Sequence, residues 1–229
     1  MMKPLAIFDV DGTLVDSRKI ISLSMDAAFE KEGLPAPGYE VTRTIVGLSL
    51  DVAIDRIAPR NVDAGGIARI TEHYKNAFIG FRKNPETQAP LYDGVPSLLE
   101  RLRADDWEIG IATGKSRKGL DAVLKRMNWE RLIDAHYCAD DGPGKPHPFM
   151  VDANLKALSR RPEEAVVIGD TSFDMLMAQA ASVATIGVDW GFHTREELEQ
   201  VPADVVVSTM DDLQVKLLDF AKTFEKAIV

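Results

Sequence analysis

The sequence predicts an α/β fold: a parallel sheet covered by helices, with a helical segment inserted after the first strand. Three observations predict it. Short apolar runs alternate with stretches of helical periodicity over most of the chain. Acids, hydroxyls or a lysine follow several of those runs within a few residues. Residues 17 to about 85 break the alternation, with helical spacing and no convincing strand.

Taken in order, Pro4, Leu5, Ala6, Ile7 and Phe8 form a run that reads as a buried strand. Ile21, Met25 and Phe29 then share one helical face, and Ile67, Ile70, Tyr74, Phe78 and Phe81 share another. The turn from Pro90 to Gly94 leads into Val95, Leu98, Leu99 and Leu102, spaced i, i+3, i+4 and i+7. Further strands are predicted over 107–112, 134–138, 165–168, 183–188 and 204–207. Leu213, Leu217, Phe220 and Phe224 make a closing amphipathic helix. The expected division is a discontinuous α/β core, 1–15 and 90–229, around a helical insertion, 16–89. Its linkers would lie near Leu14 to Ser17 and Pro85 to Pro90.

At 229 residues, 45% hydrophobic and 28% charged, the chain can bury one sizeable core plus an insertion. A net charge of −9 argues against nucleic acid or an anionic membrane as the main partner. One cysteine, Cys138, cannot form an internal disulfide, so a reducing cytoplasm is the expected compartment. Only four apolar residues separate Pro4 from Asp9, too few for the apolar stretch of a secretion signal. No run approaches membrane-spanning length.

The chemistry sits at predicted strand ends, where open α/β sheets bind ligands. The first strand runs into Asp9-Val10-Asp11-Gly12-Thr13, two carboxylates one residue apart against a glycine turn. A D-x-D-G-T match arises by chance on the order of once in several hundred chains of this length. The second ends at Thr113-Gly114-Lys115-Ser116, the third leads to Lys145 between Gly144 and Pro146, and the fourth to Gly169-Asp170 and Asp174. Singly, each has an ordinary reading. Asp9 and Asp11 could be turn acids, Thr113 a helix cap, Lys145 a solvated loop lysine, Asp170 a cap and Asp174 a first-turn acid. Jointly, in this order, they point to phosphate and metal chemistry.

These motifs resemble those of the haloacid dehalogenase-like hydrolase superfamily, in its phosphatase branch and most closely the phosphoglycolate phosphatase-like group. The resemblance spans the chain and implies a Rossmann-like core with a mobile helical cap. It implies that Asp9 attacks phosphorus to give an aspartyl-phosphate, and that Asp11 protonates the leaving oxygen and later deprotonates water. It assigns Mg²⁺ to the side chains of Asp9 and Asp170 and the backbone carbonyl of Asp11, with Asp174 helping directly or through water. Thr113, Gly114 and Lys145 would hold phosphate.

Charge counting agrees with that set. Ionised Asp9, Asp170 and Asp174 repel a phosphate dianion, and a lysine ~4 Å away offsets about 4 kcal/mol of this at an effective dielectric of 20. An all-oxygen donor set suits Mg²⁺. In the superfamily that this chain resembles, dehalogenases lack an acid at the position of Asp11 and phosphonate-cleaving members carry a small residue there, so the resemblance argues against both chemistries. What remains is hydrolysis of a small phosphorylated metabolite, phosphoglycolate being the first substrate to try. The alternatives are a sugar-phosphate mutase, or a catalytically silent protein that binds a phosphorylated ligand.

The insertion offers Arg43, Gly47 and Ser49 where the family places substrate contacts; the ordinary readings are a surface arginine and a turn. Asp16 and Ser17 are expected to cap the first inserted helix. Trp190 and His193 could line the rim or simply pack, and His147 is expected to start a helix. His73, His136, His147 and His193 have no zinc spacing with one another or with Cys138. Gly114-Lys115-Ser116 lacks the glycine that a nucleotide-binding P-loop needs at position 109, which is Ile109.

Overall fold

The computed structural model describes residues 3–201 and 203–226, with side chains to 223. Its strands are β1 (Leu5–Phe8), β2 (Glu108–Thr113), β3 (Ala135–Cys138), β4 (Ala165–Gly169), β5 (Ala184–Val188) and β6 (Val205–Val207). All pair in parallel, in the order β3-β2-β1-β4-β5-β6, the doubly wound order of dinucleotide-binding folds.

Successive residues of a strand face opposite sides, and both sides of this sheet are covered. Leu5 and Ile7 pack with Met150, Val151 and Met177. Ala6 and Phe8 pack on the other side, with Leu98, Leu99, Leu120, Leu213 and Leu217. That double burial is why β1 reads as an unbroken apolar run and not as an alternating one.

The helices are α1 (Arg18–Lys31), α2 (Gly38–Thr42), α3 (Leu50–Ile57), α4 (Ala64–Arg82), α5 (Val95–Ala104), α6 (Arg117–Met127), α7 (Phe149–Leu158), α8 (Ser172–Ala180), α9 (Arg195–Glu199) and α10 (Met210–Lys226). Among the described residues none is long and apolar enough to cross a membrane. The predicted apolar face of α10 is borne out at Leu213 and Leu217, which are buried, and at Phe220, which packs on them. The side chain of Phe224 lies outside the described residues.

Between β1 and α5 the chain is helical, with no strand. Met25, Ala28 and Phe29 of α1 meet Ala53 and Ile54 of α3 and Ile70 of α4, and Phe173 of α8 closes the same cluster. The two chain crossings into this region run side by side. Asp16 N donates to Pro90 O at 2.9 Å, Tyr92 N to Leu14 O at 3.2 Å, and Val15 bridges Leu91 antiparallel. Entry and exit thus form one two-stranded connection.

Candidate active site

The parallel register fixes where the functional side chains emerge. Phe8 lies level with Ile111 of β2 and Ile168 of β4, so Asp9 follows β1 with Thr113 on one side and Asp170 on the other. Asp9 N donates to Ile168 O at 2.9 Å, which continues the ladder by one residue and fixes the start of the turn. Gly12 then turns the chain with φ +85°, and a Cβ built there would lie 2.1 Å from Asp170 Oδ2. Only glycine permits both that conformation and that approach.

Asp170 is held from two sides: Thr13 Oγ1 donates to Oδ1 and Phe192 N to Oδ2, both at 2.8 Å. Asp174 anchors the start of α8, its Oδ2 accepting from Thr171 Oγ1 at 2.7 Å and Thr171 N at 3.1 Å. The cap of α8 is therefore Thr171, not Asp170, and the ordinary reading of Asp174 as a first-turn acid holds alongside the site. Likewise Ser116, whose hydroxyl accepts from Gly119 N at 3.2 Å, caps α6, while the Thr113 hydroxyl at the end of β2 accepts from Lys115 N at 3.4 Å.

Lys145 joins these acids. Its Nζ lies 2.8 Å from Asp9 Oδ1 and 2.6 Å from Asp174 Oδ1, and all three side chains are at most 1% exposed. The distances are those of ion pairs, but none of these contacts meets the angular demands of a hydrogen bond. They attract as ion pairs all the same, because Coulomb attraction depends on distance and not on lone-pair direction.

Burial pushes the Asp9 carboxyl up to about 6, against the pull of Lys145 and with the push of Asp174. Burial and the charges of Asp9 and Asp174 raise Asp170 well above the usual range. Burial alone would lower the Lys145 ammonium, yet Asp174 and Asp9 outweigh it and hold the group above its ordinary value. Three buried acids cluster beside one lysine, which pairs with two of them, Asp9 and Asp174, so the cluster is short of positive charge.

A cavity of about 820 Å³ opens above Asp9 and Asp11, between the strand ends and the inserted helices. Thr113, Gly114, Gly47 and Ser49 line it; Lys145, Asp170 and Asp174 are buried beside Asp9 and do not. The insertion approaches at Gly114, where a Cβ would meet Gly47 O at 2.7 Å and Leu48 O at 2.8 Å.

Other expectations fare differently. Arg43, expected at the substrate, is not in the cavity wall: it pairs with Glu197 at 2.8 Å and Glu40 at 2.9 Å. Trp190 packs, with Nε1 donating to Thr13 O at 3.2 Å and the ring beside Tyr92. His193 is buried against Phe173 and accepts from Ser172 N at 3.1 Å, so neither residue lines a rim. His147 Nδ1 accepts from Phe149 N at 3.2 Å, at the start of α7 as expected. Ser17 stands at the cap of α1 without a cap hydrogen bond; Asp16 instead accepts from Arg18 N at 3.3 Å.

One contact was not foreseen. Lys115 Nζ donates to both oxygens of Asp11, at 2.6 and 2.7 Å, and lies 5.5 Å from the centroid of Phe78 in α4. The signal was present, a lysine two residues past the second strand's threonine. Only the adjacency of β1 and β2 turns it into a partner for Asp11.

A sequence model of the haloacid dehalogenase-like hydrolases matches residues 6–188, from β1 through β5. The chain belongs to the haloacid dehalogenase-like hydrolase family. It is 33% identical over 218 residues to the protein named probable phosphatase IndB of Dickeya dadantii, covering 93% of this chain and 92% of that one. It is 30% identical over 210 residues to phosphoglycolate phosphatase of Yersinia pestis, covering 90% and 89%. The solved structure of a hydrolase from Pseudomonas syringae superposes with a TM-score of 0.84 at 25% identity, over 95% of this chain and 99% of that one. The chain is an enzyme of this family, and its relatives' names place it among the family's phosphatases.

In such a hydrolase a divalent metal ion is the group to test for. Asp9, Asp170 and Asp174 each offer an oxygen, all within 4.8 Å of one another, and all three residues are buried. Oδ1 of Asp9 and of Asp174 lacks any directed hydrogen bond. Clustered hard oxygen donors short of positive charge fit a hard divalent cation.

Proposed function

We propose that this haloacid dehalogenase-like hydrolase cleaves the phosphate monoester of a small metabolite through an aspartyl-phosphate at Asp9, with Mg²⁺ as cofactor. The observation that carries the reading is Lys145 Nζ, 2.8 Å from Asp9 and 2.6 Å from Asp174, next to a cavity lined by Asp11, Thr113 and Gly114. In this reading residues 16–89 are a cap over the core.

The phosphate would sit between Asp9 and the Thr113 hydroxyl, with the Gly114 amide as a further donor. An Asp9 oxygen attacks phosphorus, forming the P–O bond to the carboxylate as the bond to the leaving oxygen breaks. Asp11 gives its proton to that oxygen, so the alcohol departs neutral. Water then attacks the same phosphorus, losing a proton to Asp11, and Asp9 is released as a carboxylate with inorganic phosphate. Asp11 must leave Lys115 for this, so its ion pair belongs to the resting enzyme. Lys145 keeps Asp9 close to the phosphate despite like charge. The side chains of Asp9, Asp170 and Asp174 and the carbonyl of Asp11 would hold Mg²⁺, whose bound charge offsets that of the phosphate oxygens.

A phosphate-release screen with Mg²⁺ tests the reading, run over metabolite esters that include phosphoglycolate, a sugar 1-phosphate and p-nitrophenyl phosphate. Release by the wild type and loss in Asp9→Asn are expected. An isomeric sugar phosphate in place of free phosphate would mean a mutase. No turnover of any ester would mean a protein that only binds.

A further inference from the structure

The cavity is larger than the reacting phosphate needs, and its far wall is one face of α4. Tyr74, Phe78 and Arg82 are spaced i, i+4 and i+8 and all line the cavity. The rings of Tyr74 and Phe78 are stacked, with centroids 5.9 Å apart. Phe78 also fixes this wall relative to the chemistry, because Lys115 Nζ links its ring face to Asp11. Arg82 lies one helical turn beyond Phe78, about 6 Å further along the axis. From the acids outward, the wall therefore reads as anionic site, lysine, aromatic surface and then arginine.

Arg82 lines this cavity, as do the exposed Lys75 and Lys118. It is half-buried, and among the described residues no carboxylate lies within ion-pair distance of it. Another guanidinium is close enough to feel its charge: burial, and then the charge of Arg82, hold Arg126 below its ordinary value. The acids Glu72 and Asp140 of the same cavity are engaged elsewhere, Glu72 by Asn76 and Asp140 by Arg117 N. A half-buried guanidinium beside another guanidinium, facing a cavity, fits a carboxylate or phosphate brought by a ligand.

We propose that the preferred substrate is an elongated phosphate monoester. It has an apolar or planar middle that lies on Phe78 and a second anionic group at its far end, bound by Arg82. This rests on the phosphatase reading above and deepens it, and it places phosphoglycolate, whose two charged ends are separated by a single methylene carbon, below longer substrates. About 820 Å³ is ample for such a molecule, within the common range of ligand cavities.

The test compares kcat/KM for phosphoglycolate, hexyl phosphate, 6-phosphooxyhexanoate and p-nitrophenyl phosphate. 6-Phosphooxyhexanoate should exceed both phosphoglycolate and hexyl phosphate by about tenfold, as a charge-assisted contact at Arg82 would give. Arg82→Gln should bring the ratio of 6-phosphooxyhexanoate to hexyl phosphate to near one, Arg82→Lys should keep most of it, and Phe78→Ala should lower both six-carbon esters relative to phosphoglycolate. Release of phosphate with phosphoglycolate as the best substrate, or a ratio unmoved by Arg82→Gln, overturns this inference alone. No release from any of the esters, p-nitrophenyl phosphate included, overturns the phosphatase reading and this inference with it.

Discussion

Lys145 Nζ and Asp9 Oδ1 face each other at 2.8 Å, both side chains at most 1% exposed, and among the described residues this lysine is the cation paired with the candidate nucleophile. The same ammonium reaches Asp174 at 2.6 Å. Removing it leaves buried carboxylates uncompensated. Lys145→Met should destabilise the metal-free protein by about 3–5 kcal/mol, the usual result of breaking a buried pair from one side. Urea unfolding followed by circular dichroism would measure this, and phosphate release should fall with it.

Asp11 is the residue assigned to proton transfer, and leaving-group chemistry can isolate that task. Asp11→Asn should slow turnover of alkyl phosphates by about 10²–10⁴-fold. The loss should be clearly smaller for p-nitrophenyl phosphate, whose phenolate departs without a proton. Equal losses on both would assign Asp11 a different task.

Gly12 gives a backbone test of the metal site. Its φ of +85° disfavours any side chain, and a Cβ would lie 2.1 Å from Asp170 Oδ2. Gly12→Ala should displace Asp170 and weaken divalent-cation affinity by about 10–100-fold, as disturbed outer-shell geometry does elsewhere. The readout is the rise in melting temperature on adding Mg²⁺, present in the wild type and largely lost in the variant.

Arg43 ties the inserted region to α9, the short helix after β5. Its hydrogen bond to Glu197 holds that carboxyl below the ordinary glutamate range. A lowered carboxyl pKa adds stability above the unfolded-state value, near 4.5, and loses it as pH falls through the folded-state value. Arg43→Gln should therefore remove part of the acid sensitivity. At neutral pH it should cost about 1 kcal/mol or less, since water screens part of the pair. KM should stay within about twofold, because no substrate contact is lost. A large rise in KM would return Arg43 to the substrate.

The sequence was most legible where the period and the chemistry are local. Leu5 to Phe8 reads as a strand because both faces of the sheet are covered, and Val95, Leu98, Leu99 and Leu102 read as a helix because all four are buried on one face. The aspartates of the first and fourth motifs could be found because each directly follows a buried run. The losses came from contacts between distant segments. Arg43 and Glu197 are separated by 154 residues and Lys115 and Asp11 by 104, so no local spacing foretells either pair. Cap positions were less legible, as between Asp170 and Thr171 at the start of α8, because acids and hydroxyls compete for the same backbone donors.

The most direct measurement is mass spectrometry of the peptide containing Asp9, from enzyme acid-quenched during turnover of its best ester with Mg²⁺. The expected result is one added phosphoryl group on Asp9, absent from Asp9→Asn, which should also fail to release phosphate while unfolding like the wild type. Sustained phosphate release by Asp9→Asn, or a phosphoryl group trapped on a different side chain, would contradict it.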